Sequence, residues 1–360
     1  MKVFFICKKL SEGGAERVVS NLCSAFSLRG HDTAVINCFK TDLDYPVEKG
    51  VRRFFLEEES SQNDPFLKRN LRRIRGIREI LKKERPDVVI SFMAESNFRT
   101  VAGTAGLGIK TIISVRNDPE KEYEGRFATA LAKGLLPQAD GCVFQTPDAQ
   151  AYFPEKLQKK SVIIPNAVKQ DFFEVKREPK EFLVTSCGRL TEQKDYRSLI
   201  LAFKDLLKKV PRARLQIYGT GELEEELKEL SRKEKLEKFV SFFGRSSDIP
   251  SVLSKTSLFV LSSAYEGMPN ALMEALAAGV PSVSTDCPCG GPRMLIENGV
   301  NGLLVPPGDP EALSKAMEEI LTHPIKAQKM GEEARKRAQE YTTDKITDRW
   351  EEYVRQVLGK

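Results

Sequence analysis

Two acids eight positions apart, Glu266 and Glu274, bracket the run Gly267-Met268-Pro269-Asn270-Ala271-Leu272. A Gly-Pro turn there opens a helix near Asn270, with Pro269 beside its first turn. The N–H groups of Asn270, Ala271 and Leu272 are then free, which makes a ready anion site. Glu266 falls on the loop before that helix and Glu274 about one turn into it. The two therefore reach different parts of one ligand and do not form a close dyad. A second cluster is Gly188-Arg189-Leu190-Thr191-Glu192-Gln193-Lys194. Its Arg and Lys straddle a turn and can aim at one phosphate, the first as a planar fork and the second as a compact point charge. Gly13-Gly14 runs straight into a helix, where paired glycines let the backbone approach an anion. The fingerprint G-x-G-x-x-G is absent. Taken singly, each motif also has a plain reading: a capping acid, an ordinary helix glutamate, two solvated cations, a simple strand-to-helix turn.

Short β-branched and aromatic runs alternating with helical patterns must position these residues. Strands are expected at Lys2–Cys7, Thr33–Phe39, Asp87–Phe92, Thr111–Val115, Cys142–Thr146 and Ser161–Pro165. Helices fall between them at Ala15–Leu28, Pro65–Lys83 and Arg126–Leu136. A second series starts at Phe182–Cys187 and continues through Arg214–Tyr218, Val240–Phe243, Leu258–Ser262, Ser282–Thr285 and Leu303–Val305. Its helices are expected at Tyr196–Lys209, Glu222–Lys233, Asn270–Ala278 and Pro310–Leu321. Such runs bounded by Gly, Pro and Asp read as buried parallel strands with crossover helices. The expectation is an α/β protein of two doubly wound, Rossmann-like parallel-sheet domains with a cleft between them. Residues 1–168 form the first, 169–180 a polar linker and 181–342 the second, while a helix over 343–358 crosses back to the first. In open parallel sheets ligands gather at the C-terminal ends of strands, and the motifs above fall there.

Composition narrows the chemistry. The 360 residues, 41% hydrophobic and 30% charged, suffice for two cores. No stretch approaches the ~20 apolar residues of a spanning helix. The start MKVFFICKK turns polar within seven residues, so neither a spanning protein nor a signal peptide is expected. The cysteines Cys7, Cys23, Cys38, Cys142, Cys187, Cys287 and Cys289 are odd in number and scattered, as suits reduced thiols in the cytoplasm. With only His31 and His323, a zinc site or a Ser-His-Asp triad has almost nothing to draw on. Cys287-Pro-Cys289 lacks a second pair and reads as structural. The net charge of +6 is uneven: residues 1–170 carry +7 and residues 171–360 carry −1. A basic half can meet nucleic acid, an anionic membrane or a phosphorylated substrate.

In combination, the E-x7-E of Glu266 and Glu274, the G-R-L-x-x-x-K of Gly188–Lys194, Gly13-Gly14 after the first strand and Asn298-Gly299-Val300-Asn301-Gly302-Leu303-Leu304-Val305 resemble the family 4 retaining glycosyltransferases of GT-B fold. The likeness of layout covers nearly the whole chain and is similar to enzymes of bacterial capsule, O-antigen and lipid-linked oligosaccharide assembly. It implies that Arg189 and Lys194 neutralise the diphosphate of a UDP-sugar donor and that Glu274 holds the ribose hydroxyls. Glu266 would contact the donor sugar, Gly244 and Arg245 would frame the base, and Gly13-Gly14 would close over the phosphates. It also implies retention of configuration, a hexosyl or N-acetylhexosaminyl group as cargo, and no metal or other cofactor. Cations and helix N–H groups can stabilise the departing diphosphate where a metal otherwise would.

Two features depart from, or compete with, that resemblance. Where the family often carries a histidine near the acceptor, this chain reads Ser114-Val115-Arg116-Asn117-Asp118-Pro119, leaving the acceptor-side base open. Arg116 and Asn117 are candidate acceptor contacts, with Glu95 and Asn97 of Ser91–Asn97 as weaker ones. Asp42-Leu43-Asp44 spells the metal-binding D-x-D of the other main glycosyltransferase fold, yet follows the second strand, far from the donor motifs, and reads as a solvated loop.

The positive excess concentrates in Lys68–Arg85. On a helical wheel Leu67, Leu71, Ile74, Ile77 and Leu81 form an apolar side, and Arg/Lys fill the rest. Arg72, Arg73, Arg75 and Lys82 are thus expected to meet anionic headgroups or a polyprenyl diphosphate, giving peripheral binding to the inner face of the cell membrane. A merely solvated basic helix is the alternative. Two other functions compete: a GT-B UDP-sugar 2-epimerase, and a nucleic-acid-binding protein, for which aromatic-interleaved basic strands are missing.

Overall fold

The computed structural model describes residues 1–11, 13–57 and 64–360. The chain divides into two compact units, one of Met1–Ala167 with Thr343–Lys360, the other of Val168–Thr342. The first unit holds seven parallel strands: β1 Lys2–Ile6, β2 Asp32–Asn37, β3 Arg52–Phe55, β4 Val88–Phe92, β5 Lys110–Ser114, β6 Gly141–Phe144 and β7 Ser161–Ile163. They lie in the order β3-β2-β1-β4-β5-β6-β7. The second unit holds β8 Leu183–Cys187, β9 Arg214–Tyr218, β10 Val240–Phe242, β11 Leu258–Leu261, β12 Ser282–Thr285 and β13 Leu303–Val305, ordered β10-β9-β8-β11-β12-β13.

Central strands are covered on both faces and so read as unbroken apolar runs. Val3, Phe4 and Phe5 of β1, like Val88, Val89 and Ile90 of β4, are wholly buried. In each sheet the strand order reverses once, between β1 and β4 and between β8 and β11. Those reversals leave a crevice at the C-terminal strand ends, where doubly wound sheets take ligands. Gly13-Gly14 follows β1, Ser91–Asn97 ends and follows β4, Arg189 follows β8, and Glu266 follows β11. All four motifs therefore stand at a switch point of their own sheet.

The C-terminal helix Thr343–Leu358 packs on the first unit. Trp350 is fully buried, 5.8 Å from the ring of Phe92, and the Tyr353 hydroxyl accepts the Cys142 N–H at 2.8 Å. Glu351 contacts His31 Nε2 at 3.0 Å, and Asp348 accepts from Arg29 at 2.6 Å.

The structure corrects one segment of the sequence reading and adds elements to it. Residues 169–180 are part of the second unit and not a linker. Phe172, Phe173 and Val175 are buried in the same core as Leu272 and Leu276, and the Gln170–Phe173 helix packs on the Asn270–Ala277 helix. The Glu178 and Lys180 N–H groups donate to Ser254 O and Lys255 O, both at 2.8 Å. The edge strand β3 is a further element, as are the helices Ala94–Thr104, Ile249–Lys255 and Pro324–Ala338.

Candidate functional site

In the second unit, β8 delivers Arg189 and a single 3₁₀ turn, Glu192–Lys194, delivers Lys194. The turn closes because Asp195 adopts a left-handed backbone (φ 43°) and caps the next helix, accepting the Ser198 N–H at 3.1 Å. Lys194 Nζ then donates to Glu266 Oε1. Glu266 is 5% exposed, and its Oε1 also accepts from Ser263 Oγ at 2.7 Å. Gln193 spans the group: its Nε2 donates to Tyr265 O at 3.1 Å, while its Oε1 lies 3.4 Å from Arg189 Nη2. Main-chain bonds fix the frame, with Ala264 N–H donating to Gln193 O at 2.8 Å and Ser262 Oγ to Lys194 O at 2.8 Å. Arg189 itself is exposed. The structure thus brings Arg189, Lys194 and Glu266 together, and adds Gln193 and Ser263, which carried no motif signal.

Two glycines make the close approaches this frame needs. At Gly219 (φ 140°) a Cβ would fall 1.8 Å from Gly188 O, so only glycine lets the β9 loop lie against the Arg189 loop. At Gly291 a Cβ would fall 1.7 Å from Gly267 O, beside the Glu266 loop.

The helix Asn270–Ala277 opens after Pro269 with no side-chain cap, so the Asn270, Ala271 and Leu272 N–H groups lie in its uncapped first turn. Glu274 is 7% exposed on this helix, near Cys187 at the end of β8, whose thiol is pushed up first by burial and then by that carboxylate. Gly244 (φ 66°) follows β10, and its carbonyl accepts the Gly219 N–H at 2.7 Å. Arg245 Nε donates to Thr220 Oγ1 at 3.2 Å. Beside them Phe243, half exposed, stacks on Tyr218 with centroids 5.0 Å apart and planes 15° apart. This exposed aromatic face went unread in the sequence, although Phe243 directly precedes Gly244.

In the first unit, Gly13 precedes the helix Gly14–Leu28 in extended conformation, and its N–H donates to Ser11 O at 3.0 Å. Asn97 is wholly buried: it accepts from Ser91 Oγ at 2.8 Å and donates to Ser114 O at 2.9 Å. It ties β4 to β5 and has no exposed surface to offer an acceptor, which corrects that expectation. Arg116 is buried as well, lying over the Phe92 ring at 5.4 Å and donating to Asn166 Oδ1. Burial pushes its guanidinium down to about 9, opposed by Glu122. Glu122 accepts the Ala94 N–H at 2.7 Å, and burial raises its carboxyl to about 7. Glu95 is exposed and accepts from Arg99 at 2.7 Å; Asn117 is half-buried, next to Arg116.

The helix Phe66–Glu84 departs most from its wheel. Arg73 is buried in a two-pronged bond to Glu57, Nε to Oε1 at 2.9 Å and Nη2 to Oε2 at 2.8 Å. Arg72 donates to the same carboxylate at 3.0 Å and also to Asp64. Neither is a free headgroup contact, because Glu57 and Asp64 already neutralise them; Arg75 and Lys82 are exposed. Only Ile77 and Leu81 of the expected apolar side are buried, whereas Phe66, Leu67 and Leu71 are 68%, 71% and 48% exposed. In the D-x-D triplet, burial works against ionising Asp44, but Thr41 at 2.7 Å and Arg53 at 2.8 Å hold its carboxyl below the usual range. Cys287 and Cys289 are buried free thiols, the first pushed up to about 12 by burial. Among the described residues no helix is long and apolar enough to cross a membrane.

Two switch-point sites, one built of cations and a helix start, are what a GT-B glycosyltransferase requires. Residues 168–337 match the family model of glycosyl transferases group 1, and residues 12–172 that of glycosyltransferase family 4. An uncharacterized glycosyltransferase of Methanocaldococcus jannaschii is 30% identical over 74% of this chain and 71% of its own. A Campylobacter jejuni N-acetylgalactosaminyltransferase, named for an undecaprenyl-diphosphate-linked acceptor, is 26% identical over 99% of both chains. The Anabaena protein HepE, solved with UDP, superposes with a TM-score of 0.83 at 18% identity, over 99% of this chain and 100% of its own. The chain belongs to the family 4 glycosyltransferases of GT-B fold.

Proposed function

We propose that this glycosyltransferase moves a hexosyl or N-acetylhexosaminyl group from a UDP-sugar to a polyprenyl-diphosphate-linked saccharide, with retention and without a metal. The observation that carries the reading is the Lys194–Glu266 pair at the β8–β11 switch point, with Arg189 beside it and an uncapped helix start nearby. In transfer the bond from the anomeric carbon to the diphosphate oxygen breaks, and its electron pair stays on the diphosphate. Lys194, Arg189 and the N–H groups of Asn270, Ala271 and Leu272 stabilise that charge as it grows. Glu266 keeps Lys194 aimed and faces the sugar, and Glu274 binds the ribose hydroxyls. The acceptor hydroxyl attacks from the face the diphosphate leaves, and its proton passes to the departing oxygen. Phe243 offers a stacking face for the base, with Gly244 and Arg245 at its edge.

The name of the Campylobacter relative favours the lipid-linked acceptor class, and UDP in HepE favours a uridine nucleotide. Peripheral action at the inner face of the membrane draws support from exposed Phe66, Leu67 and Leu71 alongside exposed Arg75 and Lys82. Calorimetric titration with UDP, GDP and a DNA duplex tests the reading, together with hydrolysis of a panel of nucleotide sugars. UDP should bind at least about tenfold more tightly than GDP, and DNA not at all. Tighter binding of GDP, or of DNA alone, would overturn it.

A further inference from the structure

A cavity of about 1060 Å³ lies at the other end of the second sheet, where Phe182, Ser257 and Pro281 lead into β8, β11 and β12. The donor site is built at the opposite, C-terminal ends of those strands. Phe182, Val210, Pro281, Ile320, Leu321 and Ala327 give it an apolar wall. The charged side chains of the lining are Arg177, Lys209, Arg212 and Arg335 against Glu181 and Glu332, so cations are in excess there.

Arg177 and Arg335 are half-buried and bond only to the main chain. Arg177 Nη1 donates to Leu253 O at 3.0 Å, and Arg335 Nη2 donates to Val175 O at 2.8 Å and Ala278 O at 2.6 Å. All three partners are neutral main-chain carbonyls. Among the described residues no carboxylate pairs with either group, and Arg335 Nε is buried with no hydrogen-bond partner. The two lining acids are engaged elsewhere: Glu181 with Arg212 at 2.7 Å, Glu332 with Gln328 at 2.9 Å. Burial, and then the charge of Arg335 beside it, pushes Arg177 down to about 10. Like charges held near each other favour an anion between them.

The geometry points to a second ligand site in this cavity, for an amphipathic anion whose phosphate head lies between Arg177 and Arg335 and whose hydrocarbon body lies along the apolar walls. Apolar walls with a few convergent polar groups are the usual make-up of a small-molecule site. Such a ligand supplies negative charge beside the two guanidinium groups that no acid pairs. A lipid phosphate and a soluble aromatic phosphate share this chemistry.

The test is calorimetric titration of the full chain with octyl phosphate below its micelle concentration, with octanol, inorganic phosphate and octyltrimethylammonium as controls. One saturable site for octyl phosphate is expected, with each control at least about tenfold weaker, because hydrogen bonds to charged groups and apolar burial each add at least that factor. Arg177→Met keeps the apolar stem and leaves the Arg335 contacts in place. It should weaken octyl phosphate about tenfold or more, with circular dichroism and UDP binding unchanged, and Arg177→Lys should recover part of the loss. Equal affinity in Arg177→Met, equal binding of the ammonium control, or no saturable site would overturn the proposal. UDP binding is measured on the same samples, so failure here is separable from failure of the donor reading. Farnesyl phosphate binding more tightly than phenyl phosphate supports a lipid source, and the reverse supports a soluble one.

Discussion

The two units treat their cations in opposite ways. In the first, the most basic helix spends its charge internally: Arg73 and Arg72 share Glu57, and Arg72 also holds Asp64. In the second, which is close to neutral, Arg189 is exposed at a strand end and Lys194 is tethered to one acid that is itself part of the site. Net charge counted along a chain is therefore a poor guide to charge a ligand can use. What matters is whether a carboxylate is already in reach and whether the group stands at a switch point. By that measure the near-neutral unit is the better anion binder.

The largest effect expected from breaking this contrast is at Lys194. Lys194→Ala or Arg189→Ala should lower donor-dependent turnover by about 10²–10³ with native circular dichroism, as for loss of a preorganised electrostatic donor. Lys194→Ala should also lower the melting temperature, because it leaves Glu266 without its cation. Near-normal turnover in either folded variant would remove the donor-site assignment. In the first unit the corresponding change should hit stability. Arg73→Met leaves Glu57 buried with only Arg72, and urea unfolding should register a loss of about 3 kcal/mol. Arg73→Met with Glu57→Leu should recover most of it, since replacing both partners removes the stranded charge.

The units also differ in how acids are held, and pH exposes it. Burial raises Glu122 in the first unit to about 7 from 4.5, so the folded state binds its proton more tightly than the unfolded one. Its contribution to stability is full below about pH 4.5 and is lost as pH rises through 7. Glu122→Gln removes that loss: it should be more stable than the parent at pH 8, by on the order of 2 kcal/mol, with the difference closing toward pH 5. A gap that does not change with pH would mean that Glu122 is ionised throughout. Nothing similar is expected at Glu57, whose two arginines overcome the cost of burial and hold its carboxyl below the ordinary range.

The parallel strands were legible because burial on both faces makes them apolar runs, and the switch-point motifs were legible because Gly, Pro and charge cluster where such runs end. β3 was not legible, since Arg52-Arg53-Phe54-Phe55 lies at the sheet edge and has neither alternation nor an apolar run. Residues 169–180 misled for a related reason: their polar majority hides Phe172, Phe173 and Val175, which alone decide that the segment is core. At the site, Arg189, Lys194 and Glu266 could be named from spacing, but Gln193 and Ser263 could not. Their roles come from contacts across 72 and 3 positions of sequence, and no local period records the longer one. Arg73 failed on the same ground, because a helical wheel knows nothing of a carboxylate 16 residues upstream.

The smallest expected effect separates exposed cations from spent ones on the same helix. Arg75 and Lys82 are exposed, so reversing both (Arg75→Glu with Lys82→Glu) should change stability by less than about 0.5 kcal/mol. If that face meets an anionic membrane, flotation with phosphatidylserine vesicles should fall by several-fold, at about 1 kcal/mol per charge, and the residual binding should lose its salt dependence. Phe66→Ser with Leu67→Ser provides the apolar counterpart, because both side chains stand clear of the fold and their loss should spare it. Should the serine pair abolish flotation and the charge reversal leave it intact, the helix acts through its exposed apolar end.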